Sequence, residues 1–151
     1  MFLYHATDRE DLPSILKDGL LIYPPKHHWN GMYCEGYVFL AFDPDVAKDY
    51  LAASDDAPED IVILKIDLSN LDETHVGYDW NNRCEYEDEI NSITYDVNIP
   101  AKHIQLVEDR TTEPLQDVYS FKGTLLYDYI MCVFDEEVET NLQREEVLDD
   151  M

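Results

Sequence analysis

Two stretches of this chain each couple a short strand to a helix, and they constrain its fold more than any other feature. Phe2 to His5 has the apolar and aromatic content of a strand. Asp8 or Asp11 then caps a helix that carries Pro13 in its first turn, Leu12, Ile15, Leu16 and Leu20 at helical spacing, and Gly19 as its stop. Val38 to Phe42 forms the second strand, and Asp43-Pro44 supplies the cap and first-turn proline of the second helix. On that helix Val46, Ala47, Tyr50 and Leu51 share a face. A strand thus delivers His5 to a turn, and Phe39 precedes Tyr50 by 11 residues. This arrangement outlines a pocket for a flat, polar ring. Taken singly, the three residues have plainer readings: a strand-end histidine is more often a hydrogen-bonded structural residue, and both aromatics suit a core.

The rest of the chain adds strands faster than helices. Ile61 to Leu68 is the clearest strand, and its unbroken apolar first half predicts burial on both faces. Residues 69–82 read as loop, and Glu85 to Asp96 holds a strand near Ser92–Asp96. Ile99-Pro100 turns the chain into a further strand over His103 to Val107. Val118 to Phe121 fits another strand, whereas the apolar run Leu125 to Phe134 fits helix or strand equally. Residues 135–151 hold eight acids and one arginine, with Val138, Leu142, Val147 and Leu148 spaced for an amphipathic helix. The class is α+β. Residues 1–108 form the expected domain, and 109–151 an acidic extension that packs on it or binds a partner.

Charge sets the range of partners. The 45% hydrophobic content, with 11 Tyr, 5 Phe and 2 Trp, argues for a packed core despite a formal charge of -24. Such acidity repels nucleic acid and anionic lipid; it fits a basic protein partner, a halophilic source or mimicry of nucleic acid, and equally the plain reading of a very soluble cytosolic protein. No apolar run approaches the ~20 residues that span a bilayer, and no basic-then-apolar secretory signal opens the chain. Cys34, Cys84 and Cys132 are odd in number and lack C-x-x-C spacing, which suits reduced thiols in the cytoplasm and no zinc. The histidines His27, His28, His75 and His103 form no metal-ligand spacing, so no metal is expected. The charge is uneven. Residues 1–30 hold three basic and four acidic side chains, while the other 121 hold 7 basic and 30 acidic ones. An anionic small ligand meets least repulsion in that first segment.

The order of these elements resembles the ADP-ribosyltransferase fold. In that family the first strand carries a motif like Leu-Tyr-His-Gly-Thr, where this chain has Leu3-Tyr4-His5-Ala6-Thr7. The second motif is a strand like Gly-x-Tyr-Phe-Ala with a helix aromatic eleven residues after its tyrosine, matched by Gly36, Phe39 and Tyr50. The third is a strand glutamate near a Tyr-Asp pair, matched by Glu89 to Asp96 with Ile99-Pro100 behind it. The resemblance spans residues 2 to 108. It implies split antiparallel sheets with a few short helices, and NAD as substrate. Its nicotinamide would stack between Phe39 and Tyr50, with His5 on the adenosine ribose, the Ala6 backbone on the carboxamide and Thr7 beside them. Arg9, Lys17 or the His27-His28 pair would meet the pyrophosphate.

Two departures qualify that frame. Phe39 replaces a tyrosine, keeping the ring face and losing the hydroxyl. At the catalytic glutamate position stands Asn91, whose amide brings no charge; Glu89, two residues earlier, would share its strand face. Three functions follow. The first is NAD-dependent mono-ADP-ribosylation of a protein, as an effector or anti-host factor would perform it. The second is a catalytically impaired acidic module, a nucleic-acid mimic that binds or inhibits a basic partner. The third, an RNA 2′-phosphotransferase relative, shares the opening motif but needs a basic phosphate site that this sequence lacks. Oligomeric state is not specified by the sequence.

Overall fold

The computed structural model describes residues 1–24 and 36–149, with side chains through residue 139, so His27, His28 and Cys34 lie outside the described residues. Within the described residues six strands form one antiparallel sheet: β1 (Phe2–Asp8), β2 (Val38–Ala41), β3 (Ile61–Asp67), β4 (Val76–Tyr78), β5 (Ser92–Tyr95) and β6 (Ile104–Leu106). Their order across the sheet is β4-β5-β2-β1-β3-β6. Among the described residues three helices accompany them, α1 (Leu12–Asp18), α2 (Pro44–Ala52) and α3 (Leu125–Asp149). The α+β class follows directly.

The two-residue period of β1 assigns its side chains to two layers. Leu3 joins Leu40, Leu64, Ile66 and Ile93 in the larger core, where α3 adds Leu126, Ile130 and Phe134. Tyr4 points the other way, into a smaller cluster with Ala41, Ile63 and Ala47 of α2. Asp43 caps α2 as its sequence predicts, its Oδ1 accepting from the amides of Asp45 at 2.8 Å and Val46 at 3.4 Å. Gly19 ends α1 at φ 89°, and a Cβ there would stand 2.2 Å from the carbonyl oxygen of Ile99. Glycine therefore permits the Leu20–Ile99 bridge, whose two backbone hydrogen bonds are each 2.9 Å.

Several elements depart from the sequence expectation. The sheet is a single six-stranded one, not two, although its central pair is barely joined. A three-residue strand, β4, lies inside the expected 69–82 loop, because Gly77 and its neighbours pair with β5 despite having no apolar period of their own. Val118–Phe121 is a 3-10 turn instead of a strand: Asp117 accepts from the amides of Tyr119 and Ser120, and the Ser120 hydroxyl accepts from the Asp117 amide. The helices are not all short, since the ambiguous apolar run and the acidic tail join in the 25-residue α3. The core also runs past residue 108. Val118, Phe121, Leu126 and Ile130 are fully buried, and the Phe42 and Phe121 rings sit 4.6 Å apart.

Candidate functional site

The centre of the sheet is parted. β1 pairs with β3 along its whole length, from Phe2–Asp67 to Asp8–Ile61, but with β2 only at Tyr4–Ala41. Backbone alternation fixes what faces the gap. Phe42 N–H bonds the Asn91 carbonyl at 3.0 Å, so the polar groups of Leu40 turn towards β5 and those of Phe39 and Ala41 towards β1. Arg9 N–H bonds the Asp60 carbonyl at 3.0 Å, so odd residues of β1 face β3 while Phe2, Tyr4 and Ala6 face β2. Ala6 and Phe39 would be the next pair after Tyr4–Ala41, and the ladder stops before it. His5 Nδ1 instead donates to the Phe39 carbonyl at 2.8 Å. The Ala6 N–H and C=O are left facing the opening.

The opposite end of the gap is closed by a side chain. Gln116 Oε1 accepts from Phe2 N–H at 3.1 Å, and its Nε2 donates to the carbonyls of Phe2 at 2.7 Å and Phe42 at 3.1 Å. One amide thus substitutes for a missing strand residue. Nearby, the Tyr4 hydroxyl donates to Glu113 at 3.1 Å, and Lys65 pairs with the same carboxylate at 3.2 Å. The segment after residue 108 is stitched to β1 by these contacts.

His5 is half-buried, and burial lowers its pKa while the Phe39 bond opposes the shift. The ring is therefore neutral near pH 7, with its proton on Nδ1 and Nε2 free to accept. Its side chain leaves β1 on the Leu3 face, whereas the Phe39 ring leaves β2 on the Ala41 face. A ligand that touches both must lie in the gap itself. The face with Phe39 also carries Thr94 and Gly77 in register, and α2 packs on it through Ala47.

Tyr50 of α2 donates its hydroxyl to Asn91 Oδ1 at 2.5 Å. Burial pushes the Tyr50 pKa up, hydrogen bonding to Ser92 and Asn91 opposes it, and the Asp79 charge adds to the rise. Asp79 is 3% exposed and accepts from Ser92 Oγ at 2.7 Å, Asn82 Nδ2 at 2.7 Å and Asn81 N–H at 3.1 Å. Asn91 and Tyr50 thus meet, and a buried carboxylate stands one hydroxyl away.

Other sequence candidates fall elsewhere. Glu89 is exposed in a 3-10 turn (Glu87–Glu89) before β5 begins, so no strand alternation aligns it with Asn91. Three successive acids favour the solvated turn over a pleated strand. Arg9 is exposed, and its Nε donates to Asp60 at 2.8 Å at the far end of β1. Thr7 is buried within β1. Burial, then the charges of Glu89, Asp79 and Glu137, raise the Cys84 pKa, which favours the protonated thiol over the thiolate. Among the described residues no cluster of three His, Cys, Asp or Glu side chains is arranged to hold a metal, and no helix is long and apolar enough to cross a membrane. Sequence reasoning missed Gln116 and Asp79. The Asp79-Trp-Asn81 run does carry the signature of a side-chain-capped turn, which gives no hint of Ser92.

Comparison with protein-family models gives no match, and comparison with curated proteins gives none either.

Proposed function

We propose that the chain binds NAD in the β1–β2 gap and transfers its ADP-ribosyl group to a protein. One observation carries this reading: the Ala6 N–H and C=O face the opening beside a His5 ring tied to the Phe39 carbonyl. A backbone donor and acceptor on one residue match a carboxamide. Phe39 and Tyr50 offer aromatic faces to the nicotinamide ring, a contact worth ~1 kcal/mol beyond area burial. His5 Nε2, an acceptor, takes a ribose hydroxyl. Bound NAD supplies the ADP-ribosyl donor, with nicotinamide as its leaving group. The chain's own task is to stabilise positive charge at the ribose. Asn91 brings none of the needed negative charge, and on this reading Asp79 provides it from behind Ser92 in a low-dielectric setting.

Calorimetric titration with NAD, and nicotinamide release in the presence of a cell lysate, test the proposal. Wild-type binding that is lost in His5→Ala supports it; no binding in either removes it. Asn91→Glu places a carboxylate at the pocket and is expected to raise nicotinamide release by ~10-fold or more. The neutral Asn91 also favours the second reading, an acidic module that occupies a basic partner without catalysis. Salt-sensitive partner binding that survives His5→Ala, with no NAD turnover, selects that alternative.

A further inference from the structure

A second site adjoins the gap. A cavity of about 260 Å³ opens over β2, β5 and the outer edge of β4. Its walls combine two kinds of group. Tyr37, Trp80 and Tyr129 are aromatic and 38%, 41% and 51% exposed, while Asp79 and Asp96 are acidic. Gly77 shapes its floor, since a Cβ there would come 2.6 Å from Thr94 Oγ1. Aromatic faces beside carboxylates recognise an organic cation, and a guanidinium already lies on one of these rings: Arg83 sits 5.4 Å over Trp80.

The backbone at this cavity is also unpaired on one side. β4 is an edge strand. His75 and Gly77 turn their polar groups to β5, as the 3.2 Å bond from Asp96 N–H to the His75 carbonyl shows, so those of Val76 and Tyr78 point off the sheet. Val76 N–H is taken by the Glu73 carbonyl. Val76 C=O and Tyr78 N–H remain, a bracket that fits one residue of an extended chain laid parallel to β4.

We propose that this cavity docks an extended, basic protein segment, its backbone bracketed by Val76 and Tyr78 and one arginine side chain between Trp80, Tyr129 and Asp96. The formal charge of -24 complements such a partner and gathers it at long range. The aromatic–acid cavity then selects a cationic side chain, and the edge strand selects an extended backbone. Arginine suits this site better than lysine, because a planar guanidinium stacks on rings while donating to a carboxylate. The site does not require NAD, so it stands or falls separately from the nucleotide reading.

The test is titration of the full chain, without NAD, with the capped peptide Ser-Gly-Arg-Gly-Ser and with its lysine and glutamine counterparts, followed by amide and indole NMR shifts. The arginine peptide is expected to move the Gly77 and Tyr78 amides and the Trp80 indole, and to protect the Tyr78 amide from exchange. Asp96→Asn and Trp80→Leu should each weaken it by about fivefold. Shifts scattered over the acidic surface without those three signals would overturn the proposal, as would equal affinity for the glutamine peptide.

Discussion

Removing the Gln116 side chain probes the parted sheet most directly. Gln116→Ala abolishes three hydrogen bonds, of 3.1, 2.7 and 3.1 Å, and leaves Phe2 N–H and the carbonyls of Phe2 and Phe42 without that partner. At ~1 kcal/mol each the loss is ~3 kcal/mol, reduced towards ~2 because the half-buried site admits water. For a chain of this size each kcal/mol shifts the melting temperature by ~2–4 °C, so a fall of ~4–12 °C is expected. Gln116→Glu keeps the acceptor for Phe2 N–H but sets a carboxylate against two carbonyls. It should cost at least as much at pH 7. Its folded-state pKa is raised by those carbonyls, so the excess cost is present at neutral pH and is relieved as acid protonates the group. Thermal melts of the three proteins at pH 7 and pH 5 measure both effects. If Gln116→Ala is within ~0.5 kcal/mol of wild-type stability, the amide does not close the gap.

Three further outcomes follow from the same geometry. Gly19→Ala forces a side chain into φ 89° and against the Ile99 carbonyl; strain of ~1–2 kcal/mol plus two bonds of ~1 kcal/mol each should cost ~3–4 kcal/mol in denaturant unfolding. The lowered His5 pKa makes the folded chain refuse a proton that the unfolded chain accepts below ~6.5, so stability falls as pH drops through that value. Between pH 7.5 and 5.5 the wild type should therefore lose more melting temperature than His5→Gln, and equal losses would refute the assignment. Cys84 should be alkylated by iodoacetamide at pH 8 well below the rate of exposed Cys132, read by site-resolved mass spectrometry.

What the sequence makes legible is what neighbouring residues decide. Asp43-Pro44 and Gly19 mark helix ends because caps and stops act within one turn. His5 lies in the middle of β1 and not at the expected strand end, because pairing with β3 carries the strand on to Asp8; Phe39 and Tyr50 fall on the strand and helix that their local pattern marks. β4 was not legible, because three residues centred on glycine carry no period and exist only by pairing with β5. Val118–Phe121 has strand-like composition, but the Asp117 cap supplies its amides with a local partner and wins over pairing. Gln116 meets Phe2 across 114 residues, and Asp79 meets Ser92 across 13, distances over which sequence pattern says nothing about contact.

The placement of Phe39 joins the two proposals. Its carbonyl faces β1 and holds His5 across the gap, while its ring lies on the opposite layer and lines the cavity that reaches the β4 edge. One residue therefore borders both the β1–β2 gap proposed for NAD and the cavity proposed for a peptide. A reaction that moves a group from NAD to a protein needs its two substrates adjacent, because proximity supplies much of the rate. The same adjacency serves a module that only binds, since a partner segment in the cavity would lie against the gap and compete with whatever enters it. The two readings therefore differ at one point, whether negative charge reaches the ribose position. Tyr50, Asn91, Ser92 and Asp79 are the linked groups on which this turns, and Asp79 is the one carboxylate among them.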